Sequence, residues 1–384
     1  MSNDARVAGG ILWIDVGAIV ANWRALVARV QPAECAAVVK ADAYGLGASR
    51  VVPALAQAGC RTYFVAGLDE GIEVAGLLAG ENERRVSGIV GGPSSVYVLN
   101  GLIPGSEADF LQYGLQPVLN SLADIDRWAA RARELNRPLA AALHVDTGMS
   151  RLGLPPTEVA QLAAAPSRLQ PLKITLILSH LACADSPRHP LNARQLALFR
   201  QTVSNLPPAP ASLANSGGVF LGAPFHGHLV RPGIALYGGA PSTDRIAANP
   251  MQPVVRLDGR ILQVREIDVG ATVGYGALHK SAHRARIATV AIGYADGFLR
   301  SLGNRGTGYV GDQAVPLVGR VSMDLTTFDV TAVPEPLARP GGFIELIGPH
   351  HPIDAVAGEA GTIAYEILTA LGRRYHRVYT GSGC

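Results

Sequence analysis

One lysine in this chain stands where its chemistry would differ from that of a surface lysine. Lys40 closes the apolar run Ala36 to Val39 and opens the segment Lys40-Ala41-Asp42-Ala43-Tyr44-Gly45. An amine at the hydrophobic end of a buried strand has its charged form disfavoured by desolvation. The neutral amine is a nucleophile able to condense with a carbonyl. A solvated lysine at an ordinary strand end would show the same spacing, so position alone leaves both readings open. The glycines that follow, in Ala43-Tyr44-Gly45-Leu46-Gly47, lack the full spacing of a dinucleotide-binding turn.

A reactive group at a strand end needs a rigid floor. From about residue 34 to 240, short apolar runs end in polar or glycine-rich turns and lead into helical segments. Ala36 to Val39 precedes a helical stretch at Val51 to Ala58, and Thr62 to Ala66 precedes another at Asp69 to Leu78. Gln116 to Asn120 leads into a helix with Ser121 and Asp124 at capping-box spacing and Ile125, Trp128, Ala132 and Leu135 along one face. Repeated β/α units favour a parallel sheet with helices outside, so an α/β fold is expected. Its first part, residues 1–246, reads as an eight-stranded parallel (β/α)8 barrel of the TIM type, with an open doubly wound sheet as the competing arrangement. Reactive groups in such a barrel gather at the loops where strands end.

The texture changes at residue 247. Val254 to Ile267 and Ala285 to Ile292 read as strands, and Gly311-Asp312 sits between apolar segments as a two-residue hairpin turn would. Residues 247–384 are expected to form a mainly β domain. No Ser- or Gly-rich linker divides the halves, which predicts a close interface between them.

Composition narrows the function classes. With 384 residues, 48% of them hydrophobic and 16% charged, the chain has the balance of a two-domain globular enzyme. The formal charge of +3 is spread without a basic stripe, so no nucleic-acid partner is expected. Mean hydropathy is positive. Yet the richest apolar stretch, Ile174 to Ala184, is interrupted by Ser179 and His180 and is too short to span a bilayer, so no membrane role is expected. Met1 to Gly10 lacks the pattern of an export signal. Cys35, Cys60, Cys183 and Cys384 have no paired spacing, which predicts neither a metal site nor a disulfide framework and fits a reducing, cytoplasmic setting.

Further segments place Lys40 in a wider pattern. Besides Val39 to Gly47 they are Asp146 to Gly153, Ser179-His180, Asn215-Ser216, Val230 to Ile234, Gly274-Tyr275-Gly276, Gly293 to Gly297, Ser322-Met323-Asp324 and Ala364-Tyr365-Glu366. In this order, across nearly the whole chain, they resemble the alanine racemases, barrel-type amino-acid racemases that depend on pyridoxal 5'-phosphate.

The resemblance implies a cofactor carried by Lys40 at the barrel mouth, and a β domain that completes the site of the other subunit in a head-to-tail homodimer. The implied reaction interconverts L-alanine and D-alanine, supplying D-alanine for bacterial cell-wall peptidoglycan. Tyr44, Ser216, the backbone at Gly233 and Ile234, and Tyr365 would hold the phosphate, with Asn215 beside Ser216; hydroxyls and main-chain amides suit phosphate oxygens. Arg231 would face the pyridine nitrogen. A guanidinium does not readily surrender its proton, so the ring would stay unprotonated and be a weaker electron sink, favouring reprotonation over transamination. His180 would stack near the ring or orient Arg231. Racemisation needs acid/base groups on opposite faces, implied to be Lys40 and Tyr275. A phenol in that role needs positive charge nearby. Arg151 would supply that charge and meet the substrate carboxylate together with the Met323 backbone. Asp185, Tyr294, Arg300 and Arg320 would line the entrance.

Two positions depart from the pattern. Many family members carry a lysine, sometimes carbamylated, where this chain has His144, and often a cysteine where it has Ser322. Histidine forms no such stable carbamate, so Arg151 must be tuned otherwise. A racemase acting more broadly, on serine, lysine or arginine, would use the same machinery. A barrel-type decarboxylase would need glycine-serine-glutamine and cysteine-glutamate-serine segments that are absent, and a glutamate in place of Arg231. The small pyridoxal-phosphate-binding homeostasis barrel shares the lysine but has no second domain.

Overall fold

The computed structural model describes residues 5–85, 94–242 and 249–381. The expected boundary at 246/247 and Cys384 lie outside them.

Short apolar runs between polar turns form the barrel strands. After β1 (Gly10–Asp15) come β2 (Glu34–Cys35), β3 (Ala37–Val38), β4 (Thr62–Val65), β5 (Ser95–Val98), β6 (Gln116–Leu119), β7 (Leu139–His144), β8 (Leu172–Leu178), β9 (Ala211–Ser212) and β10 (Leu229–Val230). β3 to β9 lie side by side in chain order, all parallel. β10 closes the circle. His228 N and Arg231 N donate to Ala211 O and Ala214 O at 2.8 and 2.9 Å, and β10 pairs in parallel with β2 on its other edge. β2 and β3 are one strand interrupted at Ala36, whose amide donates to Val230 O at 3.0 Å. The expected eight-stranded barrel is therefore present, and the sheet is not open.

Helices begin where a side chain satisfies their orphan amides. Asp15 accepts from Ala18 N at 2.9 Å at the head of α1 (Val16–Val30). Ser121 accepts from Asp124 N at 3.1 Å ahead of the helix Leu122–Glu134, but Asp124 reaches back to Asn120 N, so the capping box is only half made. Ile125, Trp128 and Ala132 are buried as expected; Leu135 instead caps the helix and is exposed. The stretches predicted at Val51 and Asp69 extend to Ala48–Ala58 and Leu68–Arg85.

The second half contributes β11 (Val255–Ile267), β12 (Thr272–Val273), β13 (His279–Lys280), β14 (Ala285–Val290), β15 (Thr307–Val310), β16 (Gln313–Pro316), β17 (Thr326–Asp329), β18 (Phe343–Ile347) and β19 (His376–Thr380). Its main sheet runs β16-β15-β18-β11-β1-β19, with β14 and β17 branching from β11. Gly311-Asp312 is the expected tight hairpin, with Val310 opposite Gln313 and Gly311 at φ +58°.

The first strand corrects the expected division of the chain. β1 pairs antiparallel with β11 and parallel with β19, so residues 10–15 belong to the second sheet although they precede the barrel. Ile11 to Ile14 followed by a helix reads as a β/α unit whichever sheet receives it. The assignment is made by the backbone edges of β11 and β19, which lie more than 200 residues away.

Asn22 of α1 ties the halves together. It is buried, its Nδ2 donates to Leu236 O and Gln252 O at 3.2 and 3.0 Å, and its Oδ1 accepts from Gln252 N at 2.8 Å. Replacing it with alanine removes all three bonds and strands the buried Leu236 carbonyl. Asn22→Ala should therefore lower the unfolding free energy by about 2 to 4 kcal/mol. Urea unfolding monitored in parallel with the parent chain checks this, and an unchanged midpoint would show that this junction is not stabilising.

Candidate active site

β3 runs on through Val39, whose amide donates to Phe64 O at 2.9 Å, and delivers Lys40 to the mouth of the barrel. The chain then turns left-handed, with Ala41, Asp42, Ala43 and Tyr44 at φ of 53°, 54°, 52° and 57°. Such a conformation costs an L-residue about 1 to 2 kcal/mol. Side chains offset that cost. Ala41 N donates to Glu70 Oε1 at 2.7 Å and Ala48 N to Asp42 Oδ1 at 2.6 Å. Glu70 Oε2 also takes the amides of Ala66 and Gly67, which locks the turn to the start of the next helix.

The turn lays Lys40 and Tyr44 along a cavity of about 440 Å³ that Tyr365, Thr362, Ile363 and Thr369 also line. Burial lowers the Lys40 pKa, Arg151 lowers it further, and Glu70 opposes the shift more weakly. The free amine is thus more accessible here than in water.

Hydroxyls and amides gather on one side. Tyr44 is buried and stacks on Tyr237 with ring centroids 4.6 Å apart, and Tyr365 lies 5.9 Å from it. Burial, and secondarily Asp185, push Tyr365 up to about 12, so it is a proton donor. Ser216 Oγ accepts from Gly233 N and Ala235 N at 2.9 and 3.2 Å, which leaves its own proton to donate. Ile234 N, first in a short 3-10 turn, donates to no described group. A Cβ on Gly233 would lie 2.0 Å from the Tyr44 hydroxyl, so only glycine allows that oxygen so near the backbone. The Asn215 side chain caps the helix Ser216–Phe220 through Gly218 N at 3.0 Å.

Arg231 is buried behind them. Nη1 donates to Ser212 O at 3.0 Å and to Ser212 Oγ, and Nη2 donates to Ser179 O; Nε has no described partner. Burial brings its pKa down to about 10, still cationic at neutral pH. Burial first and Arg231 second push His180 down to about 3 and His144 to about 4, so both rings are neutral. Asn120 Nδ2 donates to Leu99 O and Val118 O, which turns its Oδ1 toward His144 Nδ1 at 2.8 Å. That nitrogen must carry the ring proton, leaving Nε2 as an acceptor. A neutral imidazole therefore stands at the end of β7, held by Asn120.

The loop after β7 is held from within. Asp146 Oδ1 accepts from the amides of Gly148, Met149 and Ser150 at 2.9, 2.9 and 3.1 Å, and the Arg151 side chain emerges exposed from it.

Of the sequence-derived residues, Lys40, Tyr44 and Tyr365 line the cavity, and those that do not include two that are strongly exposed. Tyr275 is 72% exposed and Met323 is 55% exposed, and neither lines the Lys40 cavity. Gly276, the residue after Tyr275, faces Arg320, whose Cζ would lie 3.5 Å from a Cβ there. The Met323 carbonyl accepts from Ala295 N at 2.9 Å, while its own amide donates to no described group.

Sequence reasoning missed Glu70, Asn120, Ser212 and Tyr237. Asn120 and Ser212 sit at strand ends on the barrel mouth, the same positional signal that drew attention to Lys40. Taken together, Lys40, Tyr44 and Tyr365 on the cavity wall and Ser216, Arg231 and Ile234 at the barrel mouth fit an aromatic aldehyde bearing a phosphate. They offer an amine for the aldehyde, a guanidinium N–H for a ring acceptor, and hydroxyls with an open amide for phosphate oxygens.

Known proteins carry the same pattern. The family model "Alanine racemase, N-terminal domain" matches residues 14–241, and "Alanine racemase, C-terminal domain" matches residues 254–379. The chain is 52% identical to an alanine racemase of Rhodospirillum rubrum, over 97% of this chain and 96% of that one. Among solved structures it resembles an alanine racemase from Bartonella henselae with covalently bound pyridoxal phosphate, at TM-score 0.89 and 42% identity, covering 97% of this chain and 100% of that one. A biosynthetic alanine racemase from Pseudomonas aeruginosa gives TM-score 0.88 and 34% identity over 97% and 100% of the two chains. With both halves matched in order and relatives this similar along nearly its full length, the chain belongs to the alanine racemase family.

Proposed function

We propose that this chain interconverts L-alanine and D-alanine with pyridoxal 5'-phosphate, using Lys40 and Tyr275 as two bases in active sites shared across a homodimer. The observation that carries the reading is Lys40: an amine with a lowered pKa lines a cavity walled by two phenols, and Arg231 with its open Nε acts on the same neutral His180.

When bound, pyridoxal phosphate supplies an aldehyde for Lys40 and an electron sink that eases removal of the substrate α-proton. Tyr44, Ser216, Tyr365 and the backbone at Gly233 and Ile234 would hold its phosphate, with the Ile234 amide as the open donor and Asn215 fixing the helix that presents Ser216. Arg231 would donate its Nε–H to the ring nitrogen. Because a guanidinium keeps its proton, Arg231 restrains electron withdrawal, which favours return of the proton to carbon. Neutral His180 packs against this region without adding charge.

Lys40 moves the α-proton on one face, and Tyr275 of the partner subunit moves it on the other. The exposure of Tyr275 supports that assignment, since a base directed at a second chain must be open in its own. Arg151 and the Met323 amide, which has no partner among the described residues, would meet the substrate carboxylate, with the His144 acceptor in place of a carbamylated lysine.

The working division is a cofactor-binding barrel, residues 1–246, and a β-rich domain, residues 247–384, with β1 crossing into the latter. Among the described residues no helix is long and apolar enough to cross a membrane. A cytoplasmic role supplying D-alanine to the cell wall fits this reading.

A chirality-resolved assay of alanine, serine, lysine and arginine with added cofactor should show racemisation of alanine well ahead of the others. Comparable rates on lysine or arginine would move the assignment to a broad racemase. Lys40→Ala should yield colourless protein where the parent is yellow with cofactor; a colourless parent after reconstitution would defeat the cofactor claim. Tyr275→Phe should stay yellow yet lose about a hundredfold or more in rate. In single-direction proton-exchange assays the loss should fall mainly on one enantiomer, and equal losses would remove the assignment of faces.

A further inference from the structure

We propose that Arg374 is a positioning residue that acts in trans: it holds the Met323 turn and so sets the substrate affinity of the active site in the partner subunit, an inference that rests on the shared-site reading above. Arg374 makes three charge-assisted bonds. Nε and Nη2 grip Asp296 Oδ1 and Oδ2 at 2.6 and 2.8 Å, while Nη1 reaches Asp324 Oδ1 at 2.7 Å.

Isolated surface ion pairs contribute little, but this one is not isolated. Asp296 is buried, and its Oδ2 also accepts from Gly293 N at 2.9 Å. A planar fork is the side chain able to bind one carboxylate at two points and still reach a second.

The two carboxylates belong to two turns pressed backbone to backbone. A Cβ on Gly293 would lie 2.3 Å from both Ser322 O and Met323 O. Tyr294 N donates to Ser322 O at 3.0 Å and Ala295 N to Met323 O at 2.9 Å. Ser322 closes the second turn on Leu325 O through its amide and hydroxyl. The upstream flank and the carbonyl of Met323 are thus fixed by main-chain bonds. Its downstream flank is fixed by Asp324, through Arg374. The Met323 amide, which has no partner among the described residues, takes its direction from these restraints.

Arg374 is itself rooted beside the cavity of its own chain. Gly372 N donates to Asp296 O at 2.9 Å, just after the helix Ala364–Ala370 that bears Tyr365. One short segment therefore joins the wall of one site to the turn lent to the other.

Hybrid dimers of differently tagged chains test this. In a hybrid of a Lys40→Ala chain with a Tyr275→Phe chain, one site holds intact Lys40 and borrows intact Tyr275, so activity should return on mixing. Arg374→Met in the Lys40→Ala chain, which lends its turn to that site, should raise KM for both enantiomers about tenfold, with kcat within about threefold. The same substitution in the chain holding Lys40 should leave KM within about twofold, and cofactor absorbance should be unchanged in both. Equal KM shifts in the two placements, or a loss confined to kcat, would overturn the proposal.

Should Arg374→Met fail to fold, Asp324→Asn decides. It spares the Asp296 clamp and should raise KM in the lending chain only; no shift there counts against Arg374. Failure of the parental hybrid to regain activity would overturn the shared-site reading and this inference with it. Recovery without a KM shift would overturn the inference alone.

Discussion

The site depends on keeping a guanidinium buried as a cation. Taking Arg231 out of water costs several kcal/mol unless acceptors replace the lost hydration. The closed barrel supplies them, because the ends of β8 and β9 turn Ser179 O and Ser212 O inward at its mouth, with the Ser212 hydroxyl as a third. Once present, the charge shapes its surroundings. It adds to burial in keeping His180 and His144 neutral, while Arg151 does the same for Lys40 from the neighbouring loop. Imidazoles that cannot protonate are acceptors and packing surfaces, and the amine that is discouraged from protonating is a nucleophile and base.

The second constraint is the left-handed turn after Lys40. Four consecutive non-glycine residues in that conformation form a local structure that would not persist alone. Part of what holds it comes from the other end of the chain. On β19, Arg377 donates to Gly45 O at 2.7 Å and the Tyr379 hydroxyl donates to Leu46 O at 3.1 Å. A Cβ on Gly47 would collide with that hydroxyl at 2.5 Å, so the turn is fitted to the strand as well as bonded to it. The C-terminal sheet thus braces the Lys40 turn of its own chain.

What the sequence disclosed follows from this hierarchy. Strand-end desolvation, a local property, drew attention to Lys40 but left a solvated lysine equally open until the motif resemblance was added; the Ser121 cap and the Gly311-Asp312 hairpin are local in the same sense. The closed barrel could be expected from repetition, since each β/α unit carries its own signal. Contacts between distant residues were not legible. His144 depends on Asn120, Arg231 on Ser212, and the Lys40 turn on Glu70 and Arg377, and no spacing rule connects such pairs. β1 failed for the same reason, its run being a good strand in either sheet. Motif resemblance reached farther because it encodes outcomes of those contacts without the contacts themselves.

On the reading proposed here, dividing two bases between subunits alters what stability means for this protein. A monomer could keep its barrel, cavity and lowered Lys40 pKa and still lack the base for one face. Activity would then follow the concentration of dimer, and the free energy of association would count toward catalysis as much as the folding of either half. On that arrangement the exposure of Tyr275 and Met323 follows, because each is directed at a second chain. An amide and a phenol held open cost little in water, and each becomes a directed donor once a second barrel mouth covers it.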